Sequence, residues 1–359
     1  MKICLLGDTH LGVRGDSLQF LNNCERFFAE LLFPYLEKNN IDTVFQLGDL
    51  FDRRKYINYN TLSRSKEFLF GPLAERGISF HVLVGNHDAY FKNHIDVNSP
   101  RLLLTEYNNI VTYQVPTEVV FGSSKFLVLP WMADDNYNAC MEAIQKSRAK
   151  YVLAHLELTG FEMDRGHICA NGMPSVPFDK FDAVYTGHFH TKSSKGNITY
   201  VGTPYEFTWA DYNSPKGFHI LDTETGDLTY VENPFIMHHK FVYNDETDDA
   251  FELVERAKAI NCLDGYVRIV VRSLQNQIVL DNVIAAFEKN GAFKVETIDD
   301  RLGLGLDEDN NETAESVEDT LAILEQSVPH GATFDHGVTS EDIVAFIRDL
   351  YVDAEKVMI

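Results

Sequence analysis

Five short polar clusters punctuate the first 190 residues: Asp8-Thr9-His10, Gly48-Asp49-Leu50-Phe51-Asp52, Gly85-Asn86-His87-Asp88, Ala154-His155 and Gly187-His188-Phe189-His190. Their functional groups are carboxylates, imidazoles and a carboxamide, the donor types that suit borderline-to-hard divalent cations. On an extended segment Asp8 and His10 share one face, so both can reach one cation. Asp49 supplies a carboxylate able to bridge two ions, Asn86 a neutral oxygen, and His155 and His188 imidazole nitrogens. His190, two residues beyond His188, can turn into the same cleft. Two cations held this way would acidify a water and neutralise phosphate oxygens, so the pattern points to a two-metal hydrolase.

Something must bring these distant clusters together. Each follows an apolar run that reads as a buried strand: KICLLGD, TVFQLGD, FHVLVGNHD, KYVLAH and DAVYTGHFH. Open α/β sheets collect ligands beyond the carboxyl ends of their strands. Strands over 2–8, 42–48 and 79–84 alternate with amphipathic helices around 17–38 and 59–75, the second ending at Gly77. Such βαβ units predict a parallel sheet. After residue 110, hairpins across Gly122-Ser123-Ser124 and Thr225-Gly226 bracket a helix at 134–148 and a strand at 151–156. The expected fold class is α/β (α+β): two packed sheets flanked by helices, the second partly antiparallel.

The rest of the chain divides further. Residues 1–235 form the expected catalytic domain, and Pro234 with the polar stretch Met237–Asp249 marks a boundary. YVRIVVR, LDNVIAAFEKNG and FKVETID then read as a small β-α-β domain over 240–300. From Asp299 to Asp319 nine acidic residues face the single base Arg301, which predicts a solvated linker at 301–315. Residues 316–359 carry two short amphipathic runs, opened by Ser316-Val317-Glu318-Asp319 and Thr339-Ser340-Glu341-Asp342. The linker isolates their apolar stripes from a local core, which favours docking on a partner over packing at home.

No apolar run approaches the ~18 residues of a membrane span, and no secretory leader is expected. Five widely spaced cysteines without a CxxC pair suit a reducing cytoplasm and no disulfide framework. The net charge of −23 opposes nucleic-acid binding, but residues 1–100 carry about −1 and residues 236–359 about −16. The acidity lies away from the clusters, so charge does not exclude a DNA substrate.

Taken in order, the motifs D-x-H, G-D-x-x-D, G-N-H-D, H and G-H-x-H resemble those of the calcineurin-like metallophosphoesterases over about residues 1–205. The resemblance implies one metal on Asp8, His10, Asp49 and His190 and another on Asp49, Asn86, His155 and His188; the mixed His, Asp and Asn donors favour manganese, with magnesium, zinc or iron as alternatives. It makes His87 the histidine facing the scissile phosphate, oriented by either Asp52 or Asp88. The other histidines, such as His81, His219 and His238, read as structural. GDLFD, GNHDAY and the overall layout are similar to nuclease subunits of the SbcD type, including phage members. That implies a homodimer acting on DNA with an SMC-like coiled-coil ATPase in recombination and double-strand break repair: exonuclease on duplex, endonuclease on single strands. A small-molecule phosphodiesterase or protein phosphatase of the same fold is the alternative. Arg14, Arg53, Arg54 and Lys55, which follow ligand clusters, are candidate DNA phosphate contacts or else solvated basic turns.

Overall fold

The computed structural model describes residues 1–164, 166–302, 339–340 and 343–347. In chain order the strands are β1 (Lys2–Leu6), β2 (Thr43–Gln46), β3 (Ser79–Leu83), β4 (Ile110–Tyr113), β5 (Thr117–Phe121), β6 (Ser124–Leu129) and β7 (Tyr151–His155). A short ribbon of β8 (Glu162–Asp164) and β9 (His167–Ile168) precedes β10 (Ala183–Gly187), β11 (Ser193–Lys195), β12 (Ile198–Tyr200), β13 (Gly217–Asp222) and β14 (Leu228–Glu232). Last come β15 (His238–Asn244), β16 (Tyr266–Ser273) and β17 (Lys294–Asp299).

These build two six-stranded mixed sheets, ordered β14-β13-β1-β2-β3-β4 and β11-β12-β10-β7-β6-β5. β1 to β4 run parallel, as do β6, β7, β10 and β12, while β13, β14, β5 and β11 attach antiparallel. Alternation along the strands makes the layers, because successive side chains point to opposite faces. Ile3, Leu5, Phe45 and Leu83 meet Phe126, Val128 and Leu153 between the sheets. Cys4, Leu6, Val44, Phe80 and Val82 face outward and are covered by helix residues such as Phe27, Phe28 and Leu69. Leu127, Val152 and Val184 do the same on the far side, under Cys140 and Ile144 of the helix Tyr137–Lys146. With both faces covered, the central strands read as continuous apolar runs.

The two long helices differ from simple α-helices. Leu18–Arg26 passes through a π-wound segment, Phe27–Leu32, into Phe33–Lys38. Tyr59–Ser65 passes likewise through Lys66–Phe70 into Gly71–Glu75. Each widened stretch lies just before a proline, Pro34 or Pro72. Proline has no N–H to donate and its ring crowds the carbonyl four residues earlier, so a wider turn makes room without ending the rod.

The stretch Met237–Asp249, expected as a boundary, instead supplies β15, the first strand of a parallel β15-β16-β17 sheet. Phe241 and Tyr243 point into its core with Val267, Ile269, Leu253, Val283 and Phe287, while Lys240 and Val242 face out. The unit is therefore β-α-β-α-β, with helices Ala250–Ala259 and Gln277–Lys289 capped by Asp249 and Asn276. It belongs with the two large sheets to one compact unit, residues 1–312. The acidic linker and most of the expected tail helices lie outside the described residues; within the tail, 343–347 is helical. No described helix is long and apolar enough to cross a membrane, and the five cysteines are buried thiols.

Candidate metal centre

All five clusters sit at carboxyl ends of parallel strands: β1, β2, β3, β7 and β10. The loops after β1 and β2 are stitched together, with the Thr9 and His10 amides donating to the Asp49 carbonyl at 3.1 and 3.0 Å. The extended geometry expected for Asp8-x-His10 is not what brings the two together. β1 ends at Leu6, and His10 adopts a left-handed backbone (φ 41°), as do Asp49 (φ 53°) and His188 (φ 89°). Side-chain-bearing residues rarely take this conformation, and its appearance at three of these positions marks a site whose backbone is held in place by its surroundings.

Seven side chains converge. Asp8, His10 and His190 form one group of facing donor atoms, and Asp49, His155 and His188 another. His10 Nε2 lies 3.2 Å from His190 Nε2 and 3.8 Å from Asp49 Oδ2, and His190 Nε2 lies 3.9 Å from Asp8 Oδ2. On the other side, His155 Nε2 is 3.3 Å from Asp49 Oδ2 and 2.9 Å from Asn86 Oδ1, which is 3.0 Å from His188 Nδ1. Asp49 Oδ2 thus faces both groups, while its Oδ1 accepts the His87 amide at 2.8 Å.

These spacings test the fit to cations. Two donors bound at roughly 2.1 Å to one ion must lie within roughly 4.2 Å of each other, and every pair above satisfies this. Two imidazole nitrogens aimed at one another share no natural partner except a proton or a cation. Electrostatics agree. Burial opposes charge on His10, yet Asp52, Asp49 and Asp8 raise its pKa to about 9. His155 is likewise raised to about 9 against its burial, chiefly by Asp49 and Asp8. Burial also opposes the charge on Asp49, but His155 and His87 keep its carboxyl well below the usual range. Burial raises Asp8. Burial with neighbouring His155 pushes His188 down to about 3, and burial with His10 lowers His190. The pocket therefore favours positive charge while keeping two imidazoles neutral, which is what a pair of dications requires.

Oxygen atoms stand behind several of the inward-facing imidazoles. His155 Nδ1 donates to the Leu47 carbonyl at 2.7 Å, leaving Nε2 as the inward atom. His10 Nδ1 lies 3.3 Å from the Asp52 carboxylate. His87, half-buried, donates from Nδ1 to the main-chain carbonyl of Asp52 at 2.7 Å. The orienting group expected to be a carboxylate of Asp52 or Asp88 is thus a backbone oxygen. Asp88 is fully buried and accepts from the amides of Leu50, Phe51 and Gly85, so it braces the loops and does not touch the His87 ring. The candidate DNA contacts cluster less tightly. Arg53 packs over Tyr56 and lies 4.0 Å from Asp16, with its guanidinium beside Gly15, next to exposed Arg14; Arg54 is half-buried and Lys55 exposed.

Three supports escaped sequence reasoning. Trp131 packs its ring 5.0 Å from His188 and 5.9 Å from His155. Buried Lys216 donates to the His190 carbonyl at 3.0 Å and pairs with Asp211. Glu157 approaches the outer nitrogen of His188 at 4.0 Å. None sits in a motif; for Glu157 the only signal was its place two residues after His155.

The profile of the calcineurin-like phosphoesterases matches residues 1–192. The chain belongs to this family. As a calcineurin-like phosphoesterase it hydrolyses phosphate esters, and the donor groups described above lie within the matched span except for supports such as Lys216. It is 33% identical over 294 residues to exonuclease subunit 1 of enterobacteria phage T4, covering 79% of this chain and 86% of that protein. It is 25% identical over 260 residues to a component of the nuclease SbcCD of Staphylococcus epidermidis, covering 64% of this chain and 67% of the other. Over 201 residues it is 25% identical to the DNA double-strand break repair protein Mre11 of Sulfurisphaera tokodaii, covering 53% of this chain and 49% of that one.

Proposed function

We propose that this phosphoesterase is the nuclease subunit of a DNA recombination and repair complex, cutting DNA phosphodiesters with two divalent cations. The observation that carries the reading is the convergence of seven donor side chains from five strand ends, supported by the likeness to phage T4 exonuclease subunit 1 along most of both chains. Asp8, His10, Asp49 and His190 would hold one cation, and Asp49, Asn86, His155 and His188 the other, manganese being favoured by the mixed donors. Bound dications supply an acidified water and neutralise the phosphate oxygens.

The chain's own residues do the rest. Asp49 ties the two groups together and fixes the His87 backbone through its second oxygen. The Asp52 carbonyl accepts from Nδ1–H of His87, which leaves Nε2 for the leaving ester oxygen: the imidazolium form passes it a proton from Nε2 or stabilises the charge that develops on it. Arg14, Arg53, Arg54 and Lys55 take the flanking phosphates. The subunit works as a homodimer, exonucleolytic on duplex and endonucleolytic on single strands, with the 240–300 unit as a cap. Residues 316–359 dock on an SMC-like ATPase, and the setting is the cytoplasm.

The test incubates purified protein and Mn²⁺ with labelled duplex DNA, single-stranded DNA and a small chromogenic phosphodiester, beside His87→Ala. DNA cleavage is expected to fall about 10²- to 10⁴-fold in the variant while Mn²⁺ binding persists. Hydrolysis of the small ester alone would refute the nuclease reading. Deleting residues 316–359 should spare cleavage and abolish ATPase association.

A further inference from the structure

The two sides of the metal centre differ in chemistry. The loops on the His10 side carry Arg14, Arg53, Arg54 and Lys55. On the His188 side the wall is aromatic. Trp131 lies against His188, and its amide donates to the Val84 carbonyl at 2.8 Å, at the end of β3. Trp131 also packs on a small buried cluster of Val84, Ala89, Ile95 and Ala133, which binds its segment to the loop that follows Asp88.

That loop holds Tyr90 and Phe91, three and four residues beyond His87. The two residues remain 41% and 40% exposed, although the backbone around them is fixed. The Tyr90 amide donates to the Val97 carbonyl at 2.9 Å, that of Ser99 to Asp88 at 2.9 Å, and that of Asp135 to Asn93 at 3.2 Å. The Tyr90 and Phe91 ring centres are 4.6 Å apart, and Phe91 stacks on His94 at 4.1 Å. This is a stiff aromatic ridge held out in water. Asp96, Asp134 and Asp135 are exposed in the same two segments and outnumber the exposed Lys92 beside Phe91, so the ridge carries a net negative charge and is a poor seat for backbone phosphates. Flat apolar surface with acidic neighbours suits the faces of bases, whereas the cationic side suits phosphates.

We propose that Tyr90 and Phe91 form a stacking platform for unpaired bases beside the scissile phosphate, which seats a single strand or the frayed end of a duplex. This rests on the nuclease reading above. A base stacked here must have left its partner, because a paired base offers its faces only to its neighbours in the helix.

A substrate–variant cycle tests it with the full-length protein and Mn²⁺. Wild type, Tyr90→Ala, Phe91→Ala and Phe91→Trp are assayed on single-stranded oligonucleotides. These are either intact or carry one abasic residue, placed in turn at each nucleotide flanking the cut. Each alanine variant should lose about tenfold in kcat/KM on intact DNA and keep its rate on a small chromogenic phosphodiester. The loss should vanish on the oligonucleotide whose abasic residue coincides with the stacked base, and Phe91→Trp should restore it. Equal losses on all intact and abasic substrates, or no loss on any, would overturn the platform alone. A wild-type enzyme that hydrolyses the small ester but no oligonucleotide would overturn the nuclease reading and this inference together.

Discussion

The 3.3 Å approach of the Asp52 carboxylate to His10 and the 2.7 Å hydrogen bond from His87 to the Asp52 carbonyl assign two tasks to one residue through different atoms. Carboxylate partners on the outer nitrogen of a metal-binding imidazole raise its basicity and fix its ring, and losing one typically costs 10- to 100-fold in affinity. Asp52→Asn keeps the backbone carbonyl. It should therefore weaken Mn²⁺ binding by about tenfold while leaving His87 held as before, a change read by calorimetric titration of the metal-free protein. Unchanged affinity would mean that the carboxylate does not support His10. At this scale the sequence revealed which side-chain types gather, because His, Asp and Asn at strand ends have few cheap alternatives. It hid what the main chain does. The Leu47 and Asp52 carbonyls leave no mark on residue identity, and Asp88, adjacent to His87 in sequence, faces the loop amides instead.

Among the elements, the central strands were legible from apolar runs ending in polar clusters, since a strand covered on both faces has no reason to alternate, whereas their order in the sheets was not. The bends that aim the ligands were not. Gly48 (φ 100°) was in plain view, but nothing foretold left-handed His10, Asp49 or His188. Gly85 shows how closely these loops pass: a Cβ there would lie 2.1 Å from Asp49 Oδ1. β15 was hidden by its polar outward residues, and the π-wound turns by the absence of any periodicity cue beyond the prolines. One histidine read as structural gives β3 a measurable pH signature. His81 packs with Phe45 and Tyr113 in a cluster of three near-parallel rings, and its two nitrogens bond the Tyr113 hydroxyl at 2.9 Å and the Ser79 hydroxyl at 3.2 Å. Burial lowers its pKa to about 4, below the ~6.5 of an unfolded histidine. The unfolded chain therefore takes up this proton first, so stability falls as the pH drops from 6.5 towards 4 and is unaffected above. The full penalty is about 3 kcal/mol. His81→Phe should flatten this acid limb in Tm measurements across pH, at a cost near neutrality of about 1 kcal/mol for each of the two lost hydrogen bonds, to Tyr113 and Ser79. His219, also lowered to about 4 by burial, keeps part of the slope. An identical acid limb in the variant would show that His81 is not the group being titrated.

Across the whole molecule, charge must reconcile a protein of −23 with a polyanionic substrate. The acid is concentrated after residue 235, whereas residues 1–100, which carry the first three clusters, are close to neutral at about −1. A chain this acidic gains no general attraction to DNA, so binding must come from local contacts beside the metal centre and vary with salt according to their number. Each phosphate neutralised contributes about −0.9 to the slope of log affinity against log salt for duplex DNA. If Arg14, Arg53, Arg54 and Lys55 each meet one phosphate, the slope should be about −3 to −4. Arg54→Ala should weaken binding evenly across sequences and reduce the magnitude of that slope by about 1. Fluorescence anisotropy with labelled duplex over a range of salt concentrations gives both quantities. A variant that binds less tightly with an unaltered slope would place Arg54 in the structure of its turn and not at the phosphate. The cationic side of the cleft would then rest on Arg14, Arg53 and Lys55, and the wild-type slope should lie nearer −3.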